Sequence, residues 1–135
     1  MDPFVNLLTQ AAMLTVVLVS MGFRFKGNYL VHEIMMIAAV AITITGTLVI
    51  SATTPSSAMT AITNTSLSLA VVSSHMIIAI TTLVFGVWLV ALWRPHSTTF
   101  AAKSKRQAQI TTILWIVTFL VGVLVFVTVH TSLFG

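Results

Sequence analysis

The sequence predicts an all-α integral membrane protein, a single four-span domain (residues 1–135) folded as a four-helix up-and-down bundle. Three observations support this prediction. The chain contains four long apolar runs; 58% of its residues are hydrophobic and 6% are charged, with a mean hydropathy of +1.10; and its basic residues are confined to two short segments. A soluble domain of this length cannot bury so much apolar surface in one core. The lipid bilayer is therefore the expected environment.

The four apolar runs have the length of membrane spans. They cover about residues 4–22, 30–51, 68–93 and 108–130, and at 1.5 Å per residue each reaches across a hydrocarbon core of about 30 Å. The first run has Asp2 before it and Arg24 and Lys26 after it. A secretory signal peptide has the reverse order of charge, so we expect this run to be a retained span. Pro55 and a polar, uncharged composition predict a loop between the second and third spans.

Each run carries small and polar residues at alternating steps of four and three, which places them on one face of a helix. Helix contacts in membranes favour small residues and hydrogen-bonding side chains, so we expect this interior face to point into the bundle. The predicted interior faces are Asn6, Gln10, Met13, Val17 and Ser20; His32, Met36, Ala39, Thr43 and Gly46; Ser68, Val72, His75, Ala79, Thr82 and Gly86; and Ala108, Thr112, Trp115, Phe119, Gly122, Phe126 and His130.

The basic residues predict the orientation in the membrane. All six Lys and Arg residues lie in segments 23–29 and 94–107, and basic loops favour the cytoplasmic side. We therefore expect a multi-pass protein of a prokaryotic plasma membrane with both termini outside. The net charge of +4 then reports topology and not binding to nucleic acid.

The four histidines are the candidate cofactor ligands, because an imidazole is costly in hydrocarbon and usually faces the bundle interior. From the cytoplasmic boundary His32 lies roughly 5 Å deep and His75 roughly 27 Å deep, so these two cannot share a ligand. His75 and His130 can form an outer pair, and His32 and His96 an inner pair. Two imidazoles from facing helices can ligate b-type haem. Imidazole with thioether can hold copper, which makes His32, Met36 and His75 the candidate metal ligands. The alternative explanation is a hydrogen bond from His75 across the bundle and a structural or interfacial position for the other three.

The residues that catalysis requires are missing from the pattern. The two carboxylates, Asp2 and Glu33, fall on opposite sides of the predicted membrane, so they cannot form an acid and base pair. Cysteine is absent, and no Gly-rich phosphate loop or nucleophile elbow occurs. We expect a protein that is not an enzyme.

Several segments resemble a known membrane family. They are KGNYLVHEIMM at 26–36, SSHMIIAI at 73–80, the basic turn before the fourth span, and ILWIVTFLVGVLVF at 113–126. Between Arg24 and Phe126 the chain looks like the small four-span proteins of domain-of-unknown-function 420, which include the CtaM/YozB-like proteins associated with maturation of haem-copper cytochrome oxidases in bacteria. By this resemblance His32 and His75 match family histidines, and Trp115 and Gly122 match its fourth-span pattern. Ser104 stands where the family typically has a further histidine, so the inner pair is either lost or supplied by His96.

The resemblance implies a respiratory-chain protein that assists maturation of a terminal oxidase, with oxidase subunits as partners and haem or copper bound through bundle histidines. One alternative is an electron-transferring b-type cytochrome, or a subunit of one, with His75 and His130 as axial ligands. Another is a structural subunit of a larger membrane complex that binds no cofactor.

Overall fold

The protein is a bundle of four helices, as the sequence predicts. The computed structural model describes residues 3–53, 66–92 and 98–130. The helices are α1 (Pro3–Phe25), α2 (Tyr29–Thr53), α3 (Ser66–Ala91) and α4 (Thr98–His130), and all four are long and apolar enough to cross a membrane. The described residues contain no strand. Large apolar side chains are exposed along every helix, as expected for a surface that faces lipid.

The helices form a closed ring, in which α1 contacts α2, α2 contacts α3, α3 contacts α4 and α4 contacts α1. The ends of α1 and α3 lie beside the starts of α2 and α4, since residues from all four ends line one cavity. The bundle therefore runs up and down. We call this end the basic end, because Arg24, Lys103 and Arg106 lie there, and the opposite end the neutral end.

A tight turn joins α1 to α2 at the basic end. Gly27 has a φ of +77°, a left-handed conformation that favours glycine, and the backbone N–H of Asn28 donates to the carbonyl of Phe23 at 2.9 Å. The Asn28 side chain then accepts from the N–H of Val31 at 3.3 Å, which caps the start of α2. This turn brings the last residues of α1 directly against the first residues of α2.

The fourth helix begins earlier than the sequence predicted. Segment 94–107 was expected to be a loop, but α4 is helical from Thr98 onward. Ala, Lys, Arg and Gln are strong helix formers, and no Gly or Pro occurs between Pro95 and Gly122, so the helix extends through the basic segment. The other predicted boundaries differ by at most three residues. The predicted loop between the second and third spans lies largely outside the described residues.

The interior faces pack as predicted. Val17 and Ser20 of α1 and Ala39 of α2 are fully enclosed, and Val72 and Gly86 of α3 are buried. An apolar cluster of Val17, Ala39, Val40 and Trp115, which we call the apolar layer, joins three of the helices near the middle of the bundle. One polar group lies on each side of this layer.

Candidate functional site

A cavity of about 50 Å³ opens between the four helices at the basic end. Since one water needs roughly 10–15 Å³ by this measure, the cavity has room for a metal ion or a few water molecules. We call it the basic-end cavity. Its polar walls are Arg24, His32, Glu33, Ser104 and Thr112, and its apolar walls include Met36, Val40, Leu89 and Val90.

His32 is the most constrained polar side chain of this cavity, being only 4% exposed. Its Nδ1 lies 2.7 Å from the Oγ of Ser20 and 3.0 Å from the carbonyl oxygen of Ser20. The Ser20 hydroxyl in turn donates to the main-chain carbonyl of His32 at 3.0 Å. Two polar side chains and two main-chain carbonyls therefore connect the end of α1 to the start of α2.

These hydrogen bonds favour one tautomer of His32, which is assigned from the hydrogen-bond geometry. The Ser20 hydroxyl is placed to donate to the His32 carbonyl, and the Ser20 carbonyl oxygen can only accept. A proton on Nδ1 satisfies both contacts and leaves the lone pair on Nε2. Histidines that ligate metals generally use their second ring nitrogen as a donor to a carbonyl or similar acceptor in this way. The ring is thus prepared to accept a proton or a cation through Nε2.

Met36 supplies the second soft donor, because it is one helical turn beyond His32 and lines the same cavity. Glu33 and Arg24 line it too, and the Arg24 guanidinium lies 5.9 Å from the centre of the Tyr29 ring. Within residues 3–53, 66–92 and 98–130, no three His, Asp or Glu side chains come together as a metal cluster. The cavity therefore offers an imidazole and a thioether as its soft donors.

The second polar group lies on the neutral side of the apolar layer, around His75. The His75 ring and the Gln10 side chain both pack onto Gly122. A Cβ placed there would lie 2.6 Å from Gln10 Oε1 and 3.1 Å from His75 Cε1. His75 Nδ1 is enclosed and has no hydrogen-bond partner among the residues that the structure describes, although the Thr118 backbone is near the ring. Three helices meet at this group because Gly122 has no side chain.

A hydroxyl pair connects α3 to α4 about two turns along α3 from His75. The Oγ1 atoms of Thr82 and Thr118 are 2.8 Å apart, and each hydroxyl also contacts a carbonyl of its own helix. The pair cross-links two helices that share the largest contact in the bundle.

The predicted ligands are therefore divided between two places. His32 and Met36 share the basic-end cavity, and His75 lies apart from them beyond the apolar layer, as the depth argument predicts. His96 falls outside the described residues. His130 is the last residue of α4, and its side chain is not among those described. The pairings proposed for these two histidines remain predictions.

Sequence reasoning missed two buried residues of α4, Ser104 and Thr111. Ser104 is 5% exposed and lines the basic-end cavity together with His32. The signal was present, because Ser104 precedes Ala108 by four residues and so continues the interior face by one turn. Assigning the basic segment to a loop hid this continuation.

Taken together, the fold and the two polar groups define a multi-pass membrane protein with a small interior cavity lined by an oriented histidine. No family model matches the chain, and neither a curated protein nor a solved structure is similar to it. The resemblance to domain-of-unknown-function 420 accordingly stays a prediction, and the function is argued from the site.

Proposed function

We propose that this protein is a non-enzymatic component of a prokaryotic respiratory membrane that assists maturation of a haem-copper terminal oxidase by holding copper at His32 and Met36. The observation that carries the copper proposal is the hydrogen bonding of Nδ1 of His32 to Ser20, which favours an unprotonated Nε2 on a residue that lines a cavity. The link to an oxidase rests on the family resemblance of segments 26–36, 73–80 and 113–126.

The donor set favours copper in its reduced state. Thioether and imidazole are ligands of cuprous ion, which accepts low coordination numbers and soft donors. Met36 and His32 are one turn apart on α2, so both can reach a single ion from the same helix. A third ligand from a partner protein or from Glu33 would complete the site during transfer.

The size of the cavity argues against haem in this place. Pockets that enclose an organic ligand occupy about 300–1,000 Å³, whereas the basic-end cavity measures about 50 Å³. A porphyrin would require the helices to separate. Between the two cofactors expected from the sequence, we therefore propose copper at His32.

Geometry gives no support to haem at His75 either. The His75 ring packs directly onto Gly122, so no porphyrin plane fits between α3 and α4 at that level. An absorption spectrum of the purified protein tests the cytochrome alternative. A reducible bis-imidazole spectrum that is lost in His75→Ala and in His130→Ala would establish it and refute our assignment.

Copper binding can be tested with a matched pair of methionine variants. The purified protein is titrated with cuprous ion against a chelator of known affinity, and X-ray absorption reports whether sulfur ligates the metal. Met36→Leu keeps the side-chain volume. It should weaken the binding of cuprous ion at least tenfold and remove the copper–sulfur signal. Met35→Leu removes a neighbouring thioether that does not line the cavity, and should bind as the unaltered protein does.

Two outcomes contradict the copper proposal. One is the absence of stoichiometric copper binding by the unaltered protein. The other is equal affinity in Met36→Leu and Met35→Leu, which would show that copper binds elsewhere.

Ser104 offers a gain-of-function test of the same site. It lines the cavity with His32 and stands at the position where the resemblance implies a histidine. Ser104→His should add an imidazole ligand and raise copper affinity by tenfold or more. Histidine at Ala102, which is exposed on the same helix, provides the control and should leave the affinity unchanged.

The maturation role requires an experiment in the native host. Deletion of the gene should lower the copper content and activity of the terminal oxidase while its subunits are still produced. Chromosomal Met35→Leu should restore the oxidase and Met36→Leu should not. A normal, fully metallated oxidase in the deletion strain would overturn the oxidase assignment but leave the copper site to be judged by the titration.

A further inference from the structure

We propose that the outer surface of α4 is a binding site for an anionic phospholipid, whose headgroup phosphate is held by Lys103 and Arg106. This inference does not depend on the proposed copper function. It rests on the distribution of charge and exposed apolar surface along α4.

Lys103 and Arg106 are three residues apart on α4, so they are neighbours on one face of the helix. Both are exposed, and neither takes part in an ion pair within the described part of the chain. The sequence of α4 contains no Asp or Glu that would compete with an anion. Two cations one turn apart can therefore hold one phosphate group.

An exposed apolar column continues from these two cations along the same face. Its residues follow Arg106 at steps of four, three, four, three and four, which keeps them in line on the helix. They are Ile110, Ile113, Val117, Leu120 and Leu124, each between 36% and 59% exposed. From Arg106 to Leu124 the column extends roughly 27 Å, which is close to the thickness of the hydrocarbon core.

The combined surface, which we call the α4 lipid face, matches the shape and charge of a phospholipid. The cations lie at the level of the headgroups, because Ser104 between them lines the basic-end cavity beside the start of α2. The apolar column lies where the acyl chains run. Within residues 3–53, 66–92 and 98–130, α4 is the only helix with two exposed cations one turn apart above such a column.

The charge arrangement selects an anionic over a zwitterionic lipid. A zwitterionic headgroup brings its own ammonium group near the phosphate, whereas a phosphatidylglycerol headgroup brings a net negative charge to Lys103 and Arg106. Basic residues near a membrane surface contribute roughly a fivefold gain in affinity each for an anionic surface. We therefore expect both cations together to provide roughly a 25-fold preference.

The test measures lipid binding to the delipidated protein in detergent by native mass spectrometry, with phosphatidylglycerol and phosphatidylcholine of identical acyl chains. The unaltered protein should bind one phosphatidylglycerol more tightly than phosphatidylcholine. Lys103→Gln and Arg106→Gln should each weaken the binding of phosphatidylglycerol about fivefold. The double variant should weaken it about 25-fold. Phosphatidylcholine binding should not change.

Lys105→Gln is the matched control, because it removes the same charge from an exposed position. Lys105 is rotated about 100° around the helix from Arg106 and lies further from Lys103. It should bind phosphatidylglycerol as tightly as the unaltered protein. Glycerol 3-phosphate at millimolar concentration should not displace the lipid, since it has no acyl chains to contact the column.

Four results would overturn the proposal. Equal weakening by Lys105→Gln would show that only the overall charge of the basic end matters. Displacement by glycerol 3-phosphate would identify a phosphate site without a lipid role. Equal binding of the two lipids would show that the face is an ordinary lipid surface. Self-association that is lost in the double variant would show that the face contacts a second copy of the chain.

Discussion

Replacing Gly122 by alanine should disturb the meeting point of three helices. The new Cβ would lie 2.6 Å from Gln10 Oε1 and 3.1 Å from His75 Cε1. Both distances are shorter than an ordinary van der Waals contact, so these side chains would have to move. The Gln10 amide is the end of a flexible side chain and can swing away. The imidazole ring has less freedom, because its Nδ1 edge is enclosed by the bundle.

The expected magnitude follows from two opposing effects. Alanine stabilises a helix interior by up to about 1 kcal/mol relative to glycine, and overpacking a closed site costs about 1–3 kcal/mol. Gly46 isolates the first effect, since a Cβ there meets no heavy atom within 4 Å. We therefore expect Gly122→Ala to be about 1–3 kcal/mol less stable than Gly46→Ala.

The assay is equilibrium unfolding in mixed dodecyl maltoside and dodecyl sulfate micelles, followed by the helical circular dichroism signal. Adding Gln10→Ala to Gly122→Ala should recover part of the loss, because it removes the nearest atom and leaves the imidazole in contact. Equal stability of Gly122→Ala and Gly46→Ala would refute the reasoning, since it would mean that His75 and Gln10 do not pack on α4 in the membrane protein.

Three further variants test other contacts by the same unfolding measurement. Thr82→Val removes the hydroxyl pair with Thr118 and should cost about 0.6 kcal/mol, with about 1.7 kcal/mol as an upper bound for such bonds in membranes. Gly86→Leu should cost 3 kcal/mol or so, because a Cβ alone would already lie 3.0 Å from the Cγ2 of Val40 and a longer side chain would force α2 from α3. Ser20→Ala should cost about 1 kcal/mol by deleting a buried hydrogen bond, and should lower copper affinity tenfold to 100-fold by releasing the imidazole it orients.

Each of these variants has a control on the same chain. Thr81→Val removes a hydroxyl that bonds only within its own helix, so it should change stability little. Gly22→Leu introduces a side chain at an exposed position where a Cβ meets no heavy atom within 4 Å, so it should be tolerated. Thr15→Ala removes an exposed hydroxyl of α1 that bonds its own helix, and should leave copper affinity unchanged. If a control variant loses as much stability, or as much copper affinity, as its test variant, the corresponding contact is contradicted.

The interior faces could be predicted from the sequence because membrane helices select strongly for small and polar residues where they meet. The alternation of steps of four and three identified Ser20, Ala39 and Gly86 as interior positions, and all three are buried. A face, however, contains no information on which residue of the neighbouring helix it meets. The hydrogen bonds between Ser20 and His32 depend on the rotation and height of α1 against α2, which the turn at Gly27 fixes.

The candidate cavity was predictable only in part. Depth placed His32 and Met36 at the basic end and separated them from His75. Ser104 was not assigned to the interior face, because the Lys and Arg residues around it indicated a loop. Helix propensity without a Gly or Pro outweighed the local charge there, since the charged side chains on the outer surface of α4 stay exposed while the helix continues.

The apolar layer of Val17, Ala39, Val40 and Trp115 has a consequence for traffic through the membrane. These apolar side chains separate the cavity at His32 from the group at His75, and they offer water no hydrogen-bonding partner. If His32 holds copper as we propose, we therefore expect the ion to enter and leave from the basic end. On that proposal the bundle would bind the ion without conducting it across the membrane.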